Sequence, residues 1–279
     1  MNNIKRKILI IGGKGQLGNL FRVLLSEEKQ QQVDILEKDD WDQKSSKIKT
    51  YDLIIVSTPI GITNSIIKKV SQYIANDTIL CDLTSIKASP VEMMLKSHNG
   101  PVIGLHPMFG PTIYDTNNQV IICCNGRYPE KSEWFIDQLK HKGFNIIKME
   151  PQQHDKAMDF IQGIEHFITY SLGVFIKESN MDIEELYNIS SPIYKLELSK
   201  VGRLFAQPAE LYYDIIKQGP TRLKIIQNFI THMSLIQKSL TQNNDNFMEK
   251  FKETYEGSTN FCDESFAKTD EIIKLGICS

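Results

Sequence analysis

The segment Ile8-Leu9-Ile10-Ile11-Gly12-Gly13-Lys14-Gly15-Gln16-Leu17-Gly18 decides the fold of the first half of the chain. A short β-branched run precedes a GxGxxG turn, and the turn opens a helix with an apolar stripe at helical spacing. In this order the elements predict a dinucleotide-binding unit, because the backbone N–H groups and the dipole of the helix attract a pyrophosphate. The predicted cofactor contacts in the turn are Gly13, Gly15, Gln16, Leu17 and Gly18.

Each glycine of the turn has an expected task, and an acidic residue completes the motif. We expect Gly13 to permit the tight turn, Gly15 to let the pyrophosphate approach and Gly18 to allow close helix packing. Glu37 ends the second apolar run, about 20 residues further on, where a carboxylate accepts hydrogen bonds from the adenosine ribose. A carboxylate there repels the 2′-phosphate of NADP, so NAD is the expected cofactor, although the neighbouring Lys38 keeps NADP open.

The arrangement of apolar runs divides the chain into two halves. Up to residue 150, short β-branched runs alternate with helical patterns, which predicts a Rossmann-type α/β domain with a mostly parallel sheet. From Pro151 onwards, patterns of period 3.6 dominate, and we expect an all-α domain over residues 151–279 that binds substrate and forms a homodimer. The expected strands are Ile8–Ile11, Val33–Leu36, Leu53–Val56, Thr78–Cys81, Pro101–Gly104, Val120–Cys123 and Asn145–Lys148.

The composition of the chain limits which partners it can bind and indicates the cellular compartment in which it works. The 32 basic and 34 acidic residues nearly balance, which argues against nucleic acid and anionic membranes as partners. No apolar stretch approaches the ~20 residues that span a bilayer. The cysteines show no metal-ligand spacing, so we expect no metal and a reducing, cytoplasmic compartment; they are Cys81, Cys123, Cys124, Cys262 and Cys278.

A histidine follows the fifth apolar run. His106 stands after Pro101–Gly104, so it is expected at the carboxyl end of a parallel strand, the edge at which open α/β sheets bind ligands. Histidine accepts a proton near neutral pH, and Pro107, Gly110 and Pro111 hold the loop that follows in one shape. The residues alone leave two alternatives, a catalytic base and a histidine that only packs the loop.

Several motifs together give the chain a family resemblance. It resembles prephenate dehydrogenase, above all the dehydrogenase half of the bifunctional chorismate mutase–prephenate dehydrogenase proteins. Only a few residues precede the first strand, so we expect no mutase activity. The motifs that carry the resemblance are GGKGQLG at Gly12–Gly18, ILEKDDWD at Ile35–Asp42, VSTPI at Val56–Ile60, DLTSIK at Asp82–Lys87, GLHPMFGP at Gly104–Pro111 and SSPIYKLELSKVGRLFAQ at Ser190–Gln207.

The resemblance implies an activity and roles for individual residues. It implies NAD-dependent oxidative decarboxylation of prephenate, in which His106 accepts the proton of the C4 hydroxyl and Arg203 binds a carboxylate of the substrate. Ser85 is implied to hydrogen-bond that hydroxyl or to orient His106. Lys87 either assists electrostatically or only ties down its loop, and His166 is implied to face the active site. Thr58 and Pro59, in VSTPI, are implied to contact the cofactor.

Some alternatives remain open at this stage. Arogenate could replace prephenate as substrate, since the ring chemistry is the same. A β-hydroxyacid dehydrogenase or a non-catalytic NAD-binding regulator could share the architecture. Tyrosine feedback is common in the family, which makes tyrosine a candidate inhibitor, although no local motif carries it. His154 and Asp155 are expected to cap a helix at the domain junction rather than to take part in the chemistry.

Overall fold

Contacts along the chain divide this computed structural model into two units, Met1–Met158 and Asp159–Ser279. The structure describes residues 6–41, 45–218, 221–241 and 245–275; Cys278 lies outside these ranges. The sequence predicts the division at 150/151. The helix Pro151–Met158 belongs with the first unit because Met158 is fully buried in a cluster built on the sheet.

A seven-stranded sheet forms the centre of the N-terminal unit. The strand order is β2-β1-β3-β4-β5-β6-β7, and every neighbouring pair is parallel except β5 and β6. This confirms the expected Rossmann-type, mostly parallel sheet. The strands are β1 (Arg6–Ile11), β2 (Gln31–Leu36), β3 (Leu53–Val56), β4 (Ile79–Asp82), β5 (Val102–Pro107), β6 (Val120–Asn125) and β7 (Asn145–Lys148).

Helices cover both faces of this sheet. Ile8 and Ile10 point into one apolar cluster with Phe21, whereas Leu9 and Ile11 point into a second cluster on the opposite face. A strand that is buried on both faces reads as an unbroken apolar run, which explains the sequence of β1. The helices are α1 (Gln16–Ser26), α2 (Ile60–Val70), α3 (Ala88–Ser97), α4 (Glu133–His141) and α5 (Pro151–Met158).

The described part of the C-terminal unit is helical, as expected. It starts with a π-helical turn at Asp159–Ile164, where Asp159 forms a buried ion pair with Arg222. No helix within the described ranges is long and apolar enough to cross a membrane. The helices are α6 (Glu165–Glu178), α7 (Ile183–Ile189), α8 (Pro192–Phe205), α9 (Ala209–Lys217), α10 (Arg222–Thr241), α11 (Asp245–Glu256) and α12 (Thr259–Lys274).

Candidate functional site

The glycine turn is shaped by close backbone approaches. Gly12, not Gly13, adopts the positive φ of +80°, and a Cβ there would lie 2.3 Å from the carbonyl oxygen of Ser57. A Cβ on Gly13 would instead collide with Ile35, so this glycine makes room for β2. At Gly18 a Cβ would lie 2.4 Å from the carbonyl oxygen of Gly12, which is the close packing expected of the last glycine.

The turn places the start of α1 at the carboxyl edge of the sheet. Gly15 is exposed and precedes the first residue of the helix, Gln16. The first N–H groups of a helix have no partner within the helix and attract anions. Gln16, Leu17 and Gly18 supply these groups, so the turn can hold a phosphate.

The ends of β2 and β3, the strands on either side of β1, contribute to the same edge. Glu37 follows β2, and its carboxylate accepts a hydrogen bond of 2.8 Å from the backbone N–H of Lys14 in the glycine turn. After β3, Thr58 packs beside Gly12, and its hydroxyl lies 3.1 Å from that of Thr63. Pro59 directly precedes α2. The turn, Glu37, Thr58 and Pro59 therefore meet at one edge of the sheet.

His106 lies near the end of β5, where the strand no longer pairs with β4. The residue is only 4% exposed, and its Nδ1 atom lies 2.8 Å from Nε2 of His154. Nδ1 of His154 lies 2.8 Å from a carboxylate oxygen of Asp155. That carboxylate also accepts hydrogen bonds from the backbone N–H groups of Lys87, at 2.7 Å, and Ala88, at 3.0 Å.

This chain of hydrogen bonds corrects our expectation for His154 and Asp155. Asp155 caps the start of α3 rather than its own helix, and His154 connects it to His106. Burial by itself would raise the pKa of Asp155, but the hydrogen bonds from His154, Lys87 and Ala88 outweigh it and hold the pKa below its usual value. Sequence reasoning missed the connection because the two histidines stand 48 positions apart.

Lys87 is fully buried in the loop that follows β4. Its ammonium group donates hydrogen bonds to the equally buried carboxylate of Asp82 and, at 2.9 Å, to the carbonyl oxygen of Leu105. Leu105 directly precedes His106, so Lys87 ties the loop to the strand that carries this histidine. Of the two roles expected for Lys87, the geometry fits the tethering of its loop. Ser85 lies half-buried on the same loop.

Arg203 and His166 belong to a second group of side chains, within the C-terminal unit. Gln207 donates hydrogen bonds to the carbonyl oxygen of Arg203, at 3.0 Å, and to the hydroxyl of Tyr212, at 2.8 Å. The ring of Tyr212 meets that of His166 edge to face, with centroids 5.1 Å apart. Gln207 and Tyr212 therefore connect the backbone at the end of α8 to the ring of His166, although sequence reasoning had not singled out Tyr212.

Charged groups surround His166. Burial lowers its pKa; Glu165 works against this effect, whereas the cationic Arg222 and Lys200 add to it. Lys200 is bound to Glu165 and, at 3.0 Å, to Glu197. The exposed side chain of Arg203 lies one helical turn beyond Lys200 on α8. This surface can offer cations to a substrate that carries carboxylates.

Two family models match the chain, one over each of two stretches. Residues 24–125 match a family model described as prephenate dehydrogenase, nucleotide-binding domain. Residues 150–253 match one described as prephenate dehydrogenase, dimerization domain. The two matched stretches lie on either side of the division between the two units, apart from α5, which falls within the second match.

Individual relatives agree with these matches. The T-protein of Haemophilus influenzae is 36% identical over 278 residues, which cover 98% of this chain and 73% of that protein. The T-protein of Enterobacter agglomerans is 41% identical over 224 residues, or 80% of this chain; the match spans only 60% of that longer protein. The fold is similar to that of prephenate dehydrogenase from A. aeolicus, solved in complex with hydroxyphenyl propionate and NAD+, with a TM-score of 0.64, 17% identity and coverage of 96% and 98% of the two chains.

Proposed function

The chain belongs to the prephenate dehydrogenase family, and on that basis we propose that it catalyses the NAD-dependent oxidative decarboxylation of prephenate to 4-hydroxyphenylpyruvate, in tyrosine biosynthesis. The observation that carries the proposal is the buried ring of His106, held at the carboxyl edge of the sheet by a hydrogen-bonded histidine and carboxylate. This is the position and the chemistry that proton abstraction from a ring hydroxyl requires.

The glycine turn and its neighbours fit NAD. The turn has no room for a Cβ at Gly12 or Gly18, and the start of α1 suits the pyrophosphate. The carboxylate of Glu37 suits the ribose hydroxyls and repels a 2′-phosphate. Thr58 and Pro59 border the same edge and are proposed to contact the cofactor. When bound, NAD supplies the acceptor for the hydride from C4 of the substrate.

His106 is the proposed proton acceptor of this reaction. As the C4 hydroxyl becomes a ketone, His106 takes the hydroxyl proton. The ring carboxylate, para to the new carbonyl, then leaves as carbon dioxide, and the electrons of the broken bond complete the aromatic ring. Protonated His106 can return its proton to the phenolate oxygen, so the step balances. Ser85, on the neighbouring loop, is proposed to hydrogen-bond the hydroxyl or orient His106, while Lys87 holds that loop in place.

Arg203 and His166 are the proposed substrate-binding residues. The planar guanidinium of Arg203 suits bidentate capture of a carboxylate, and prephenate carries two. The bond of Gln207 to the backbone of Arg203, its bond to Tyr212 and the contact of that ring with His166 place both residues in one part of the C-terminal unit, which supports a shared role.

The assembly, compartment and regulation are proposed from separate observations. A homodimer formed through the C-terminal unit is supported by the match to the dimerization domain. Cys81, Cys123 and Cys124 are buried and take part in no disulfide, which supports a reducing compartment that we propose to be the cytoplasm. Tyrosine is the proposed feedback inhibitor, because its phenol ring and three-carbon side chain resemble the product.

The first test is turnover by the purified protein. Prephenate and NAD are expected to yield NADH, followed by its absorbance. His106→Asn is expected to lower kcat roughly 10²–10⁴-fold, the usual contribution of a general base, while NAD binding by calorimetry stays unchanged. His141→Asn is the matched control, since His141 is exposed on α4. Wild-type kcat in the His106 variant would refute the mechanism.

Substrate and cofactor preference need a second comparison. We expect kcat/KM to be higher for prephenate than for arogenate, and higher with NAD than with NADP. A preference for arogenate would replace the substrate and leave the residue roles intact. NAD binding without turnover of either acid would favour a regulator, and turnover of a β-hydroxyacid instead would move the chain to that enzyme class.

A further inference from the structure

The hydrogen-bond chain behind His106 has a direction, because one of its members can only accept. Asp155 holds its carboxylate against three N–H donors: the ring of His154 and the backbone of Lys87 and Ala88. A carboxylate in this setting has no proton to donate. Nδ1 of His154 must therefore carry the hydrogen of that 2.8 Å bond.

The position of the hydrogen on His154 determines which histidine donates in the bond to His106. A neutral imidazole has one N–H and one lone pair, so His154 with its hydrogen on Nδ1 accepts at Nε2. Nε2 of His154 faces Nδ1 of His106 at 2.8 Å, so Nδ1 of His106 is the donor. Neutral His106 then carries its lone pair on Nε2, the nitrogen on the far side of the ring from His154.

The same series of hydrogen bonds can stabilise a positive charge on His106. When Nε2 of His106 takes a proton, its Nδ1–H becomes a stronger donor to His154, and the carboxylate of Asp155 faces the resulting charge through that ring. His106 and His154 are 4% and 0% exposed, so water screens this interaction little. The carboxylate is also fixed in place, since its two backbone donors begin α3.

We propose that His154 and Asp155 are positioning residues that hold His106 with its lone pair on Nε2 and stabilise its protonated form. The role in catalysis rests on the proposed function, because it takes His106 as the proton acceptor. The tautomer itself does not, since it is argued from the hydrogen bonds that join Asp155, His154 and His106.

The tautomer can be measured without substrate or cofactor. In long-range proton–nitrogen NMR spectra of the histidine-labelled protein, His106 is expected as the Nδ1–H form, with its signals assigned through His106→Asn. His98 is an internal reference of the opposite kind, because its Nε2 lies 2.8 Å from the carbonyl oxygen of Thr78 and must donate. His106 observed as the Nε2–H form would overturn the proposal.

Asp155→Asn tests the carboxylate. An amide can donate to His154 as well as accept, so His106 is expected to shift toward the Nε2–H form. We expect kcat to fall about 10- to 1000-fold with little change in KM, less than the ~10⁴-fold loss when a triad loses its orienting carboxylate, because Asp155 acts on His106 through a second ring. The acid limb of the kcat profile is expected at lower pH, because protonated His106 loses a stabilising anion. A merely structural role would lower activity without moving that limb.

His154→Gln tests the charge separately and also serves if Asp155→Asn does not fold. The glutamine oxygen can still accept from His106, so the Nδ1–H form is expected to persist while the acid limb moves to lower pH. Asp137→Asn is the matched control, since Asp137 is exposed and paired only with Lys140 at 2.9 Å among the described ion pairs. An unchanged acid limb in both the Asp155 and His154 variants would overturn the charge-stabilising role.

Other titratable groups around the chain do not mimic these results. Asp82 at the end of β4 and Lys87 in the next loop are paired with each other. Burial raises the pKa of Cys124, on β6, to about 12, which is far from histidine titration. A wild-type protein with no turnover of prephenate or arogenate would refute the proposed function, whereas the NMR result would still decide the tautomer.

Discussion

The two units of this chain treat their large apolar side chains differently. In the N-terminal unit, Phe21 and Phe135 are fully buried against the sheet. In the C-terminal unit, Phe175 is 68% exposed and Phe261 is 73% exposed. A helical apolar stripe therefore does not reveal what covers it. The sheet covers the stripes of the first unit, and a second copy of the chain is the proposed cover for those of the second.

The apolar core of the N-terminal unit, which the sheet and its helices cover, is called the closed core below, and a substitution within it is expected to cost the most stability. Phe21→Ala removes a fully buried side chain by which α1 packs into the apolar cluster on the sheet, so the free energy of unfolding of the N-terminal unit is expected to fall by about 3–5 kcal/mol. The sequence has two tryptophans, Trp41 and Trp134, and both belong to this unit. Tryptophan fluorescence during denaturation therefore reports on it selectively.

Val23 offers the matched control on the same helix. Its side chain is 45% exposed, so Val23→Ala is expected to change the free energy of unfolding by no more than about 0.5 kcal/mol. Equal losses in the two variants would show that α1 does not bury one face as described.

The elements of the closed core could be predicted from sequence, whereas much of the site could not. Runs such as Leu53–Val56 and the spacing of Leu17, Phe21 and Leu24 are local signals, and the structure has a strand and a helix at these positions. His106 could be singled out because a strand and its end are also local features. The fold class and the position of the cofactor turn follow from such signals.

Contacts between distant residues carry no comparable signal. His154 and Asp155 look like a helix start in the sequence, and only the packing of α5 on the sheet brings them to His106 and α3. The sequence leaves two roles open for Lys87, and its burial and its ion pair with Asp82 appear only in the fold. The positive φ falls on Gly12 rather than Gly13 because the carbonyl of Ser57 approaches it, which the motif alone does not reveal.

A smaller effect is expected at the apolar surface of the C-terminal unit. Helix α11 exposes Met248 by 65% and Phe251 by 68%. If a second copy covers them, Met248→Ser combined with Phe251→Ser is expected to raise the dimer dissociation constant about 10- to 100-fold, measured by sedimentation. Folding of the monomer is expected to change little, because neither side chain is buried within the chain.

Lys252 is the control on the same helix. It is exposed and makes only a surface ion pair of 3.6 Å with Glu256 among the described contacts, so Lys252→Ser is expected to leave the dissociation constant unchanged. A dissociation constant that the double variant does not alter would exclude this face of α11 from the interface.

The smallest expected effect is the response of the two units to acid. Burial lowers the pKa of both His98, in the first unit, and His166, in the second. An unfolded histidine has a pKa of about 6.5, so the unfolded state binds more protons than the folded state just below that pH. Each unit is therefore expected to lose stability as the pH falls below about 6.5, until the lower pKa of the folded state is passed.

His166→Gln separates the two responses. The variant is expected to weaken the dependence of the C-terminal unit's free energy of unfolding on pH. The change is expected to be smaller than the loss of stability caused by Phe21→Ala, and the unfolding is followed by circular dichroism. Tryptophan fluorescence of the N-terminal unit is expected to keep its full acid dependence, because His98 is untouched. His98 donates to the carbonyl oxygen of Thr78 and lies near Arg127, and none of these groups is altered. If the fluorescence transition also became less dependent on pH, the two units would unfold together. The difference between the buried apolar side chains of the first unit and the exposed ones of the second would then not give the units separate stabilities.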